Sequence, residues 1–498
     1  MGIWHPKRLA ELTNGKWLGK TPTRLRITRG VCIDTRILTP GQAFLALVGE
    51  HADGHDYLIQ AVTAGAKLLI VSDKKCIEDE HIQKKIADVP VLWVADVTLA
   101  IQELAQSYRQ ILYEHRVKVI AVTGSNGKTS TRHLIHTALS STLDGTQSYK
   151  SYNNHWGVPI TLLAADINDD FVIVEVGSNA PGEIDALAQI IKPDAAVITN
   201  IGTAHLGNFG SIVNIAKEKL ALFNHVLEDG AVVLPEDDLL PDQDMQVTVE
   251  LMQGTQMMRY GYHQDSDVYI LDATPRQEGF DLKINLGVEF FLNMPGYHNT
   301  VNVLAAFCIA QWMGLDSKVV AQALAACQGV PMRHEIMPYG DEAFPLVVIN
   351  DAYNSNYQSV EAALMTLATY AGQKPARRRI AILGDMLEMG EFAPELHKAV
   401  GQMIVAWDNQ EPTNNMQPTF DHVILIGQLS QYTAAILAGV WNRNAYTVFK
   451  TWQEDLPDRV AELLKLGDLV LIKGSRAMAL ERLLQGIEKK FGKLTSKK

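Results

Sequence analysis

The chain reads as an α/β protein of three domains, and three observations lead there. Short β-branched runs alternate with helical patterns over most of its length, the pattern of largely parallel sheets. At 498 residues it is longer than one hydrophobic core organises. The pattern also divides into three blocks, residues 1–115, 116–330 and 331–498.

In the first block RGVCIDTRILTPGQAFLALVG precedes a helix-like YLIQAVTAGA, the strand KLLIVSD and an amphipathic helix, LAIQELAQSYRQIL. The second opens on a strong strand, VKVIAVTG (117–124), then a loop and a helix. Buried-type strands follow at FVIVEVG (171–177) and DAAVITNIG (194–202). The apolar stretch 303–315 is short and contains Gln311, so it reads as a buried helix and not a membrane span. In the third block LVVINDAY, RRIAILGDM, HVILIGQ and DLVLIKGSR are spaced by helices as in a Rossmann-like sheet. The polar run DNQEPTNNMQPT (408–419) reads as a surface loop, and no internal repeat is visible.

Apolar residues make up 47% and charged residues 20%, the balance of a soluble globular enzyme. The net charge of −12, with acids and bases interspersed, argues against a nucleic-acid footprint, which asks for a basic face. An anionic small substrate stays compatible with a local basic pocket. Cys32, Cys76, Cys308 and Cys327 form no CxxC pair, so neither a disulfide framework nor a zinc site is expected. The first residues lack the apolar core of a secretory signal, and Pro6 stands where a myristoylation motif takes Ser or Thr. A cytoplasmic protein without membrane insertion is expected.

The segment VTGSNGKTS (122–130) leaves a strand and enters a helix whose Leu134, Ile135, Ala138 and Leu139 share one face. Gly124 and Gly127 let the backbone around Ser125 and Asn126 curl so that N–H groups point at a phosphate. Lys128 supplies a point charge, the Thr129 hydroxyl suits Mg²⁺, and the helix start at Ser130 adds its dipole. The common GxxxxGK[ST] pattern does not fit, because Val122 occupies its first glycine, and an ordinary glycine-rich turn is the alternative.

Glu175 interrupts an apolar strand near its C-terminal end, where a carboxylate needs a base or a cation. His205 follows another strand end and reads as ligand or structural residue. Lys219 falls on the apolar face made by Ile212, Ile215, Ala216, Leu222 and Phe223, while Lys217 and Glu218 fall off it. Such a lysine snorkels, finds an anion, loses its proton or is modified. Taken alone, Asp351, Tyr353 and Asn354 could make a turn, His298, Asn299 and Asn302 could cap a helix, and Arg333 could be a surface charge.

Together these residues resemble the Mur ligase family, which adds amino acids or peptides to the bacterial cell-wall precursor. The likeness spans essentially the whole chain and rests on eight segments in the family's order: AVTGSNGKTST, SYNNHWGVPITLL, EVGSNAPGEI, NIGTAHLGNFGS, MPGYHNTVNVLAA, NDAYNSN, ILGDMLEMGE and KGSRAMALE. It implies an N-terminal UDP-substrate domain, a central P-loop-type mononucleotide-binding sheet and a C-terminal Rossmann-like domain. The implied reaction is ATP-dependent, passes through an acyl phosphate and uses two Mg²⁺ ions. It joins D-alanyl-D-alanine to UDP-N-acetylmuramoyl-tripeptide, and a monomer is expected.

By the same resemblance, Asp34, Thr35 and Arg36 hold the uridine nucleotide, with the turn Gly54, His55 and Asp56 nearby. Lys128, His205 and Lys219 are catalytic; Thr129, Glu175, His205 and Lys219 serve the metals, Lys219 as a carbamate. Asn153 and Asn154 lie toward the tripeptide. His298, Asn299, Asn302, Asp351, Tyr353 and Asn354 border the adenine, and Arg333 touches the nucleotide. Lys473, Gly474, Ser475 and Arg476 face the cleft. Closure of the third block over the second is expected with ATP, to keep water from the acyl phosphate. Two positions depart from the family pattern: Ala180 where a His precedes PGEI, and Gly207-Asn208 where Glu-Gly follows the His-Leu pair. A related amide ligase with another amine, of the folylpolyglutamate-synthetase type or a paralogue, is the main rival. A non-catalytic relative would show damage at Lys128, Thr129, Glu175 or Lys219, and none is visible. A P-loop motor or kinase leaves the first block without a task.

Overall fold

Three sheets follow one another along the chain. The computed structural model describes residues 2–28, 30–49, 52–73, 79–236, 253–370, 378–408, 420–441 and 445–494. The first sheet holds β1 (Lys16–Leu18), β2 (Val31–Cys32), β3 (Ala43–Leu45), β4 (Leu68–Val71) and β5 (Val91–Trp93), in the order β1-β5-β4-β3-β2. Only β1 runs antiparallel to its neighbour.

The second sheet holds β6 (Lys118–Thr123), β7 (Gly145–Gln147), β8 (Phe171–Glu175), β9 (Ala195–Ile198) and β10 (Ala231–Pro235). It continues through β11 (Gln256–Gly261), β12 (Val268–Pro275), β13 (Phe280–Ile284) and β14 (Val288–Leu292), in the order β14-β13-β12-β11-β10-β9-β6-β8-β7. Strands β6 to β12 are parallel, and β13 and β14 are added antiparallel. The inner strands β8 and β9 are buried at every residue, because helices cover both faces. The third sheet holds β15 (Glu335–Tyr339), β16 (Leu346–Asp351), β17 (Arg379–Gly384), β18 (His422–Ile426), β19 (Tyr446–Phe449) and β20 (Leu469–Lys473). Its order is β15-β16-β20-β17-β18-β19, parallel except for the edge strand β15.

Strand order reverses on either side of β6, and open α/β sheets bind ligands at such a switch point, beyond the strands' C-terminal ends. That edge carries the loop after β6, Glu175 at the end of β8 and the turn after β9. In the third sheet Asp351 and Lys473 end β16 and β20 in register.

The helix Val97–Glu114 closes the first block in sequence but packs on the central domain, against the helices Gly157–Ala164 and Glu183–Ile191. Its Ala100, Ile101, Leu104, Ala105 and Leu112 are buried at three- and four-residue spacing, in one core with both sheets. Arg109 on this helix donates to the Ile191 carbonyl at 2.8 Å and pairs with Asp194 at 2.7 Å, both groups buried. The stretch 303–315 is largely helical, within Tyr297–Trp312, and buried from Val303 to Ala310. Among the described residues no helix is long and apolar enough to cross a membrane. Cys32, Cys308 and Cys327 are buried and free, and Cys76 lies outside the described residues. Of the polar run 408–419, Asp408 ends the helix Ala393–Asp408 and the rest lies outside the described residues.

Candidate active site

β6 delivers the chain into a loop that two glycines make possible. Gly124 has φ +146°, and a Cβ there would run into the Thr199 hydroxyl. Gly127, at φ +77°, precedes the helix Lys128–Leu139, and its Cβ would meet the Asn302 amide at 3.0 Å. One expectation needs correcting. The amides of Ser125 and Asn126 do not turn toward a phosphate: they donate to the carbonyl and side chain of Asn200, at 3.0 and 2.9 Å. A loop lying beside the β9 turn satisfies its first donors there. The donors left for an anion are those at the helix start, Lys128, Thr129 and Ser130, which have no intrahelical partner. Lys128 Nζ folds back on the loop, donating to the Gly124 carbonyl at 2.7 Å. Burial lowers this ammonium to about 8, partly offset by the charge of Glu175.

Glu175 is 1% exposed and fully engaged on one oxygen. Oε1 accepts from the Thr129 hydroxyl at 3.2 Å and from Asn153 Nδ2 at 2.9 Å. Oε2 lies 3.3 Å from Arg132 Nε, within ion-pair range but outside hydrogen-bond geometry. The salt-bridge alternative is thus realised, and Arg132 is a site residue that the sequence reading missed. Its one signal is position, four residues after Lys128 and so on the same helix face. The Thr129 hydroxyl and a buried carboxylate with an unsatisfied oxygen are hard donors suited to Mg²⁺, which takes one or two carboxylates and completes its shell with water and substrate phosphates. Among the described residues no group of three or more His, Cys, Asp or Glu could hold a metal without such outside ligands. His205, at φ +57°, places Nδ1 2.8 Å from Glu388 Oε2 of the C-terminal domain.

Lys219 is 2% exposed and donates to Ser178 Oγ at 2.7 Å, so it does not snorkel. Burial, reinforced by the nearby charge of Lys128, lowers it to about 7. Glu218 is a second correction, since it is buried on the inner face. Its carboxylate accepts the Gly182 and Ile184 amides at 2.7 and 2.8 Å, at the start of the helix Glu183–Ile191. Hydrogen bonding overrides the apolar pattern there. Lys217 is exposed as expected.

The C-terminal domain supplies the opposite wall. Arg333 lies between two residues of positive φ, Met332 and His334, and stacks 4.2 Å over the Tyr353 ring. Its guanidinium also donates to Thr129 Oγ1 at 3.2 Å. Lys473 Nζ meets Asp351 Oδ2 at 2.5 Å and the Asn354 carbonyl at 3.0 Å. Burial alone would raise the Asp351 carboxyl, but His334 and Lys473 hold it well below the usual range. The His298 and His334 rings lie 4.6 Å apart. Burial, then the charge of His334, lowers His298 to about 3.

These walls enclose a cavity of about 710 Å³. Ser125, Asn126, Gly127, Lys128 and Ser130 line it from the loop, and Asn153, Glu175 and His205 from the strand ends. His298, Asn302, Arg333, Asp351, Tyr353 and Asn354 face them, with Lys473 and Arg476. Gly124, Thr129 and Lys219 stand behind this lining. Asn299 is turned away, bonding the Pro295 carbonyl at 2.7 Å. Asn154 accepts the Gly157 amide at 2.9 Å at the start of the helix Gly157–Ala164. Ser475 Oγ accepts the Leu387 amide at 2.8 Å. Asp34, Thr35 and Arg36 are not part of this cavity. Asp34 and Arg36 form an ion pair at 2.7 Å, and the charge of Lys150 on the central domain reaches Asp34. His55 is a buried turn residue that accepts the Ser72 amide at 3.0 Å.

Comparison with known proteins finds one family along most of the chain. The family model of the Mur ligase middle domain matches residues 122–310. That of the Mur ligase glutamate ligase domain matches residues 333–476, and that of the Mur ligase family catalytic domain residues 28–109. The UDP-N-acetylmuramoyl-tripeptide--D-alanyl-D-alanine ligase of Bacillus subtilis is 32% identical over 97% of both chains. The enzyme of that name from Synechocystis is 34% identical over 90% of both. Among solved structures, MurF from Acinetobacter baumannii superposes with a TM-score of 0.78 at 27% identity, covering 98% of this chain and 99% of that one.

Proposed function

The chain belongs to the Mur ligase family, and from that premise we infer that it joins D-alanyl-D-alanine to UDP-N-acetylmuramoyl-tripeptide at the expense of ATP. One observation carries the reading: Lys128, Glu175 and Arg333 line a single cavity between two domains, with Thr129 bonded to Glu175 and Arg333 just behind it. A carboxylate attacking a γ-phosphate brings anions together. At about 4 Å and an effective dielectric near 20, each pair of unit charges repels by about 4 kcal/mol. Lys128, the amides at the helix start and Arg333 offset that repulsion and take up charge on the transferring phosphoryl group. ADP leaves, the acceptor carbonyl is held as an acyl phosphate, and the incoming amine displaces phosphate to form the amide. Thr129 and Glu175 would hold one Mg²⁺, with His205 and Lys219 serving a second, Lys219 as a carbamate; the ions supply further neutralisation of phosphate charge.

His298, Asn302, Asp351, Tyr353 and Asn354 border the adenosine, with Asn299 orienting Asn302 through a 3.3 Å bond. Asp34, Thr35 and Arg36 take the uridine nucleotide, Asn153 and Asn154 the peptide end, and Lys473, Ser475 and Arg476 line or brace the cleft. The domains are divided as 1–115, 116–330 and 331–498, and the enzyme works as a cytoplasmic monomer. Phosphate release should require ATP, UDP-N-acetylmuramoyl-tripeptide and D-alanyl-D-alanine together. Replacing the dipeptide by other amino acids separates this reading from a related ligase with another amine. Lys128→Ala should lower the rate by about 100-fold or more, the scale of removing one charge-stabilising donor. Full turnover in that variant would sink the assignment.

A further inference from the structure

We propose that the first turn of the helix Tyr357–Thr369 is a clasp tying the C-terminal domain to both loops of the phosphate site, with Asn356 and Gln358 as its positioning residues. The inference rests on the functional reading above and deepens it.

Asn356 is the N-cap of that helix. Its Oδ1 accepts the Ser359 amide at 2.9 Å, and Ser359 Oγ accepts the Asn356 amide at 2.9 Å. A backbone N–H only donates, so the cap fixes the side-chain amide: oxygen toward the helix, nitrogen away from it. That nitrogen donates to Asn126 Oδ1 at 2.7 Å, across 230 positions of sequence. Asn126 is itself held to the β9 turn, through its amide to Asn200 and its carbonyl from the Thr199 hydroxyl. Two residues into the helix, Gln358 Oε1 accepts both the amide and the hydroxyl of Thr203, at 2.9 and 2.5 Å. Its side chain lies over Gly202, where a Cβ would stand 3.2 Å from it. One helical turn therefore grips the loop that carries Lys128 and the loop that leads to His205.

Neither domain needs these bonds to fold. The cap of Asn356 is complete through Oδ1, and the backbone of Asn126 is satisfied within the central domain. The Nδ2 bond joins the C-terminal domain to the loop at the edge of the cavity, which Asn356 and Gln358 both line. Closure and loop geometry are thus one event.

Asn356→Ser keeps a good N-cap and removes the donor. Gln358→Met keeps length and helix propensity and removes the acceptor. For each, kcat of acceptor-dependent phosphate release should fall by at least about threefold, the scale of one net hydrogen bond for Asn356 and of two for Gln358, with KM for ATP and Tm unchanged. Amide exchange at 125–127 and 202–204, followed without substrates, should quicken in both. Unchanged kcat, or a loss matched by a fall in Tm, overturns the clasp. Unchanged exchange at both loops overturns it as well, even if the wild-type enzyme proves to use a different amine, so this failure is separate from that of the functional reading.

Discussion

Lys219 sets a buried amine, a neighbouring hydroxyl and the charge of Lys128 against one another, and the outcome depends on pH. Its folded value of about 7 lies below the ordinary lysine value of 10.5 because burial penalises the ammonium. Between those two values the unfolded chain binds a proton that the folded protein does not, so stability rises with pH across that window. Below about 7 both states are charged and the folded protein carries the full penalty. Lys219→Met removes the penalty and leaves only the Ser178 hydroxyl unpaired. In carbonate-free buffer its Tm should exceed that of the wild type most at pH 6, with the advantage shrinking toward pH 9. A difference that stays flat from pH 6 to 9 would show that Lys219 remains charged throughout. The neutral amine above pH 7 is also the form that adds carbon dioxide, so the same titration bears on the carbamate. The Glu175 carboxylate sits beside Arg132 and accepts from the Thr129 hydroxyl and the Asn153 amide. Glu175→Gln should lower turnover by about 100-fold while phosphate-loop contacts persist, and near-normal rates would remove it from the site.

Among the elements, the helix Val97–Glu114 shows what the sequence displayed and what it hid. Its apolar spacing made it visible as an amphipathic helix, but nothing local tells which sheet it serves. The deciding contact is Arg109 with Asp194, 85 positions away, and pairs that distant leave no pattern in either segment. Glu175 was legible for the opposite reason: it breaks an apolar run, and a charge there must have a partner. Asp351 and Lys473 were singled out through the family resemblance alone. Arg132, Asn356 and Gln358 occupy ordinary polar positions on helices, so their roles appear only with the third dimension. Strands β11 to β14 went unread because most alternate exposed and buried residues over short, interrupted stretches. The Arg109–Asp194 pair predicts its own test. Asp194 also accepts the Val119 amide at 2.9 Å, so Asp194→Ala strands a buried guanidinium and a strand amide together. Urea unfolding should show a loss of about 3–5 kcal/mol, the cost of breaking a buried pair. A loss under about 1 kcal/mol, the surface-pair range, would mean the helix is held by its apolar face alone.

At the scale of the whole molecule, the C-terminal domain meets the central one at a point where glycine is required. Gly207, in the short helix Leu206–Phe209, lies so close to the neighbouring domain that a Cβ would come within 2.6 Å of Gly390 N and 2.9 Å of its Cα. Those are backbone atoms and cannot swing aside. Gly390 itself has φ +55°, so the two glycines admit each other. This gives a physical account of one departure from the family pattern: a glutamate at 207 would not fit this approach, whereas Asn208 bonds the Asn179 carbonyl at 2.9 Å. It also offers a wedge that spares the fold. Alanine suits a helix better than glycine by about 1 kcal/mol, so Gly207→Ala should not weaken its own domain. The methyl group instead pushes the two domains apart where His205 faces Glu388 and the clasp closes on Thr203. The variant should keep its Tm and its affinity for an ATP analogue. With analogue and acceptor bound, it should give a larger radius of gyration than the wild type and turn over at least tenfold more slowly, because the acyl phosphate is then open to water. Wild-type scattering and wild-type rate in Gly207→Ala would mean that catalysis does not need this approach of the two domains.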